Sequence, residues 1–265
     1  MKADITVLMV IRNEEKSVAQ TVKSVLNQTY KNFTFLVLDD GSTDRTPEIL
    51  ESFKDKRLVV KHFPQRAFLT KRLNQGLKMT KTRFVARMDG HNLAEKRRLE
   101  IQRNYMLAHP ETVLVGANFT RTDEKGKVIL KSNFYQTWPE IKNHILEKNQ
   151  FKHACWFARY DILKKEGFYN EKFRFSQDYE FLLRLVAKYP VANLPDFLMK
   201  DVAVKEAMSQ QHRLAQAWLV LRAQIPAILR GDYPIWQGVY VLRTLGYVAN
   251  SAKYMVTHLH EIKDR

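Results

Sequence analysis

Cysteine is almost missing from these 265 residues: Cys155 stands alone. That excludes an intramolecular disulfide and any cysteine-cluster metal site, and makes a reducing, cytoplasmic compartment the expectation. Long apolar runs are missing too. The best, residues 218–229 and 235–249, are interrupted by Arg222 and Arg243, so neither supplies the roughly 18 uninterrupted apolar residues of a membrane span. Residues 1–15 lack the signal-peptide pattern, because Asp4 falls inside it and no small-residue cleavage site follows; a first β-strand is expected there instead. No helix-turn-helix, zinc-finger or aromatic RNA-binding signature occurs, so no nucleic-acid partner is expected. Internal repeats and low-complexity tracts are absent.

Acid is scarce relative to base. Lys and Arg number 44 against 28 Asp and Glu, a formal charge of +16, and residues 52–103 alone hold 15 basic against 4 acidic side chains. Such a surplus suits a polyanionic partner, whether an anionic membrane surface or diphosphate groups, and equally a solvated basic face. The balance of 45% hydrophobic and 27% charged residues is that of an ordinary folded protein.

In the first 90 residues apolar runs at 5–11, 33–38, 58–60 and 84–88 alternate with amphipathic stretches at 17–26 and 47–53. Short apolar strands separated by helices predict βαβ units, a mostly parallel sheet covered on both faces, and ligands at the strands' C-terminal ends. After residue 110 a strand pair at 112–119 and 127–130 is expected, joined through Asp123, Glu124 and Gly126. Helical periodicity returns at 179–186 and dominates from about Lys205, with a break near Gly231, Asp232 and Pro234. The expected division is an α/β domain over 1–204 and a helical appendage over 205–265.

The strand at 33–38 runs into Asp39-Asp40-Gly41-Ser42-Thr43-Asp44. Carboxylates at a strand end can accept hydrogen bonds from a nucleobase N–H or ribose hydroxyls, and Gly41 lets a ligand approach the backbone. The same residues also suit a turn and a helix cap. On the first view Asp40 serves the ligand, and its loss should spare the fold.

Together with Val10-Ile11-Arg12-Asn13-Glu14-Glu15 and Ser24-Val25-Leu26-Asn27-Gln28-Thr29-Tyr30, this run resembles the large inverting glycosyltransferase family often called family two, which includes cellulose, chitin and hyaluronan synthases. The resemblance extends over about residues 4–190. It implies a GT-A type α/β/α sandwich with a mixed, mostly parallel central sheet, followed by C-terminal helices. It also implies transfer from a nucleoside-diphosphate sugar, with a lean toward UDP, to a glycan or lipid-linked acceptor, the latter suited to the inner face of an anionic membrane.

Under that resemblance Ile11, Asn13, Glu14, Asp39 and Asp40 lie at the nucleotide sugar. Lys71-Arg72-Leu73-Asn74-Gln75-Gly76-Leu77 looks like the family's helix beneath the nucleotide, so Lys71 or Arg72 would meet base or diphosphate; alternatively they form a cationic helix face, with Gly76 a packing contact. Arg87-Met88-Asp89-Gly90-His91 occupies the family's metal-binding Asp-x-Asp position with histidine replacing the second aspartate. A turn at Gly90 would let Asp89 and His91 share Mn²⁺ or Mg²⁺, imidazole being a competent ligand for such borderline ions. Ser176-Gln177-Asp178-Tyr179-Glu180 resembles the segment carrying the catalytic base, which assigns that role to Asp178 and places Gln177 and Arg184 toward the acceptor. Taken bare, Asp178 is a helix-start acid and Arg184 an ion-pair residue. His153 matches a histidine near the acceptor in relatives, and Gln210-Gln211-His212-Arg213 only loosely resembles the processive synthases' motif.

Two other readings compete. A sugar-phosphate nucleotidyltransferase shares the need for acids, metal and diphosphate but usually carries a glycine-rich phosphate loop, absent here. A non-catalytic polyanion-binding relative would arise if His91 weakened the metal site.

Overall fold

The protein is described here as a computed structural model covering residues 3–123, 125–202 and 213–257, the last stretch with side chains from 214 to 249. Glu124, the expected helix start at Lys205 and the residues Gln210, Gln211 and His212 lie outside the described residues. The first half is a regular alternation: β1 (Ile5–Ile11), α1 (Val18–Leu26), β2 (Phe33–Asp39), α2 (Thr46–Glu51), β3 (Leu58–His62), α3 (Leu69–Met79) and β4 (Phe84–Met88). Every residue of β1 and β4 is buried. This is why these strands read as continuous apolar runs rather than as an alternation.

The second half adds β5 (Asn92–Ala94), α4 (Arg98–Ala108), β6 (Leu114–Thr122), β7 (Val128–Lys131), α5 (Trp138–His144), β8 (Phe157–Arg159), α6 (Tyr160–Lys165), α7 (Gln177–Lys188) and β9 (Val191–Val202). Two long helices follow, α8 (Arg213–Leu229) and α9 (Gly238–Thr257). The strands form one sheet in the order β3-β2-β1-β4-β8-β6-β9-β5, with β7 paired to β6. β3, β2, β1 and β4 are mutually parallel, and β6 is parallel to β9. β8 and β5 run against their neighbours, so the sheet is mixed and mostly parallel.

Alternate side chains of one strand feed two cores. Leu8, Val10, Leu36 and Leu38 pack with Leu73 and Leu77 of α3, Leu182 of α7 and Leu219 of α8. Val7, Met9, Phe35 and Val37 pack on the other face with Val22 and Val25 of α1 and Leu99 and Met106 of α4. The period of two along the strand thus makes the sandwich. β9, α4 and α5 were not expected from the sequence. β9 contains Pro195 and Asp196, and its pairing with β6 shifts register at Ala117 and Asn118, where a bulge admits the proline.

Candidate active site

Three parallel strands end side by side at one edge of the sheet. Ile11 is in register with Asp39, and Met9 with Met88, so the loops leaving β1, β2 and β4 meet at the strands' C-terminal ends. Between them lies a cleft of about 250 Å³ walled by Ile11, Arg12, Glu14, Asp40, Asp89 and His91, with Arg66 and Phe68 from the loop before α3 on its other side.

The 39–46 segment is first a fastener. Asp39 is 2% exposed; its Oδ1 accepts the Ser42 N–H at 3.0 Å and the Ser42 hydroxyl, while Oδ2 meets His62 Nδ1 at 2.9 Å. The next residues tie down the loop after β1. Asn13 N–H donates to Ser42 Oγ (3.0 Å), Glu14 N–H to Thr46 Oγ1 (2.8 Å), Glu15 N–H to Asp44 Oδ2 (3.1 Å), and Thr43 N–H to Asn13 Oδ1 (2.8 Å). Asn13 adopts φ +55°, a left-handed conformation that asparagine tolerates. Asn13 therefore ties the two loops together and Asp39 ties the second of them to β3, and neither lines the cleft.

Asp40 does reach the wall, but it also has an internal task. Its Oδ1 accepts the Ala67 N–H and the Arg72 Nε–H, both at 2.8 Å, and lies 2.7 Å from a second Arg72 nitrogen. Arg72 is 3% exposed, with its guanidinium 3.5 Å from the Phe63 ring. The structure thus brings Asp40 to the cleft wall and sets Arg72 in the interior behind it. Arg72 is an interior cation, and Asp40 is its counter-ion. Lys71 is exposed and borders an adjoining hollow that shares Arg66 and Phe68.

Arg87 lies in β4 and Asp89 immediately follows the strand's last residue, where the two side chains meet. Arg87, 3% exposed, holds Asp89 Oδ1 at 2.7 Å. Enclosure opposes the charge on Asp89, but nearby cations, Arg87 foremost, outweigh it and hold the carboxyl well below its ordinary range. The backbone turns at Gly90, where a Cβ would come within 2.8 Å of Ile11 Cγ2 and 3.0 Å of Glu14 Cγ. That turn brings His91 to the cleft, its Nδ1 3.5 Å from Glu14 Oε1. Burial disfavours the imidazolium, yet Glu14 and Asp89 together raise the His91 pKa.

Among the described residues no three His, Cys, Asp or Glu side chains converge into a metal cage. Asp89 and His91 nonetheless both line the cleft. Mg²⁺ and similar ions commonly take only one or two side chains and complete their shell with phosphate oxygens and water. The donor set fits an ion that arrives with a diphosphate.

Asp178 begins α7, following Ser176 at φ +54°. No described side chain ion-pairs with it. Enclosure raises its pKa, against the opposing N–H groups of Tyr179 and of Asp178 itself, and the nearby charge of Asp89 raises it further while Arg87 lowers it. Asp178 and Asp89 therefore share one electrostatic neighbourhood. His153 belongs to it as well: its Nε2 is 2.8 Å from the Tyr169 hydroxyl, and burial, then Arg87, push its pKa down to about 3, so the ring is neutral. Gln177 is buried beside Asp178 at the helix start. Arg184 is not brought to this group. It pairs with Glu180 at 2.9 Å and donates to the carbonyls of Glu166 and Phe168, bracing a turn that contains Gly167 at φ +80° and Phe168 at φ +61°.

Comparison with known proteins now decides the family. Residues 6–166 match the model of glycosyl transferase family 2. The chain belongs to that family. It is 30% identical over 225 residues to the amylovoran biosynthesis glycosyltransferase AmsE of Erwinia amylovora, covering 83% of this chain and 82% of that one. Two solved structures share the fold. S. aureus TarS 1-349 in complex with UDP-GlcNAc superposes with a TM-score of 0.68 at 20% identity, over 84% of this chain and 66% of that chain. The mannosyltransferase PcManGT from Pyrobaculum calidifontis, in complex with GDP-Man and Mn²⁺, gives 0.68 at 16%, over 98% and 76%. The cleft residues Arg66 and Phe68, the Arg87 clamp on Asp89 and the Tyr169 partner of His153 were not expected as site residues. Only the Arg87–Asp89 spacing carried a signal, that of opposite charges two residues apart at the end of a strand.

Proposed function

We propose that this family 2 glycosyltransferase moves a sugar from a nucleoside-diphosphate donor, UDP-linked, to a glycan or lipid-linked acceptor by single displacement with inversion. Ile11, Glu14 and Asp40 receive the nucleotide sugar at the cleft wall, Asn13, Asp39 and Arg72 hold that wall in shape, and Lys71 flanks it. Asp89 and His91 would hold Mn²⁺ or Mg²⁺, whose charge makes the diphosphate a better leaving group. Arg87, paired with one Asp89 oxygen, would hold that carboxylate in place at the cleft wall. The amylovoran role of AmsE supports polysaccharide biosynthesis, and the UDP-GlcNAc carried by TarS supports the UDP donor. The work is placed at the cytoplasmic side, where a lipid-linked acceptor would be presented.

The observation that carries the mechanism is Asp178, a carboxylate with no ion-pair partner among the described residues and with raised proton affinity, sharing the surroundings of Asp89. Such a group can take the proton from an acceptor hydroxyl as it attacks the anomeric carbon opposite the leaving diphosphate. His153, neutral and bonded to Tyr169, and Gln177 line the approach on that side. Replacing Asp178 by the near-isosteric Asn is expected to cut turnover by about 10²–10⁴-fold while the donor dissociation constant stays nearly constant. Steady-state transfer assays paired with calorimetric UDP titration read both quantities. Wild-type turnover in Asp178→Asn, or a product that retains the donor's anomeric configuration, overturns the assignment.

A further inference from the structure

We propose that the α8–α9 hairpin is an interfacial docking device that lays the protein on an anionic lipid bilayer. One side of the hairpin belongs to the interior. Leu219, Leu221, Ala223 and Ala227 of α8, then Tyr233 and Val241, are buried. Gln224 donates to the Leu146 carbonyl at 2.9 Å and lies 3.0 Å from the Tyr179 hydroxyl, and the Tyr233 hydroxyl donates to the Leu183 carbonyl. The hairpin is thus anchored on α7 and cannot turn its other side inward.

That other side is apolar and faces solvent. Leu229 at the end of α8 is 81% exposed; Ile235, Trp236, Val239 and Leu242, along the turn and the first part of α9, are 82%, 54%, 50% and 66% exposed. Exposed apolar residues scattered singly need no explanation. These are contiguous: 235, 239 and 242 follow at helical spacing on one stripe, with Trp236 edge-on to Tyr240 at 6.3 Å. A helix that keeps a wet apolar stripe while its opposite face is packed has the form of an interfacial helix, immersed to about 5–10 Å. It does not span. No helix of the described residues is long and apolar enough to cross a membrane, and α9 carries Arg243 in its middle.

Charge chooses the occupant. Between residues 213 and 257 the sequence holds five basic residues against the single acid Asp232; Asp232 pairs with Arg230 at 2.6 Å and Arg222 lies over the Phe173 ring at 5.9 Å, while Arg243, next to Leu242 of the stripe, is exposed. A second copy seated by two-fold symmetry would bring this net-basic segment against itself in a protein of formal charge +16, which electrostatics opposes. Anionic headgroups meet the same cations favourably. Docking requires neither donor nor catalysis, so its failure and that of the transfer reaction are separable.

The test uses the full chain with sedimentable vesicles of phosphatidylcholine containing phosphatidylglycerol, against phosphatidylcholine alone, across a salt series. Wild type is expected to bind the anionic vesicles, less as salt rises. The exposed-site variant Ile235→Ser/Trp236→Ser/Leu242→Ser should bind about a hundredfold more weakly with UDP affinity unchanged. Brominated lipid should quench the tryptophan fluorescence of wild type and much less that of Trp236→Phe, which keeps the proposal testable even if the triple variant misfolds. Absence of binding at low salt, equal binding by a folded triple variant, or quenching unaltered by Trp236→Phe overturns it. So does a dimer, seen by sedimentation equilibrium, that the triple variant dissolves while neither form binds vesicles.

Discussion

At the scale of single residues, charges on the cleft wall also serve the fold. Asp40 faces the cleft, yet the Asp40 and Arg72 side chains are only 5% and 4% exposed, and removing one member of a buried pair leaves the other uncompensated. Asp40→Ala is therefore expected to lose about 3–5 kcal/mol of stability, measurable by urea unfolding, with Arg72→Met in the same chain restoring much of it. A loss below about 1 kcal/mol would mean that Arg72 is satisfied without Asp40. His62 supplies a pH signature nearby. Burial works against its charge, but hydrogen bonds to Asp39 and Glu51 more than offset this and raise its pKa above the ordinary 6.5. The folded protein binds that proton more tightly than the unfolded chain. The stabilisation is therefore fully present below pH 6.5 and is lost as pH rises through the raised folded-state value. Melting temperatures taken across that window should decline in wild type and stay flatter in His62→Gln; parallel curves would exclude the linkage.

At the scale of elements, α3 sits against the sheet because Gly76 has no side chain. A Cβ there would collide with Leu8 Cδ1 and lie 2.9 Å from Leu38 Cδ1. Alanine is the better helix former by roughly 1 kcal/mol, whereas overpacking a core costs about 1–3 kcal/mol. Since β1 and β2 carry the site loops and cannot retreat freely, overpacking should win. Gly76→Ala is expected to lower the melting temperature by a few degrees; a rise would show that the leucines yield. The motif that offered Lys71 and Arg72 as ligand contacts thus contains a helix-to-sheet packing contact and an interior cation.

At the scale of the whole molecule, α7 and the C-terminal helices share a core. Residues 1–204 and 205–265 divide by role on our proposal. Gln224 and Tyr233, however, hydrogen-bond α7 or its surroundings, and Leu219 and Ala223 belong to the same apolar cluster as Leu182. A chain ending at residue 204 is expected to lose the cooperative thermal transition of the intact protein, because α7 would be left with an uncovered apolar face. A sharp transition near the intact protein's melting temperature would show instead that the first 204 residues fold alone.

The sheet, and the edge at which its acids gather, were legible in the sequence because they rest on local pattern. Apolar runs such as 5–11 and 33–38 bury both faces whatever surrounds them, and acids following such strands fall at the same end of a parallel sheet. Asp89, Gly90 and His91 were legible for the same reason, as a strand end with a turn. Tertiary structure decided what depends on partners far along the chain. Arg72 is an interior cation only because Asp40, 32 residues away, reaches it, and Arg184 is a brace because the Glu166 and Phe168 carbonyls face it. The aromatic residues around the turn between the last two helices could equally have been core or surface by composition. Tyr233 became core at 3% exposure and Trp236 surface at 54%, because α7 covers one side of the hairpin and none of the described residues covers the other.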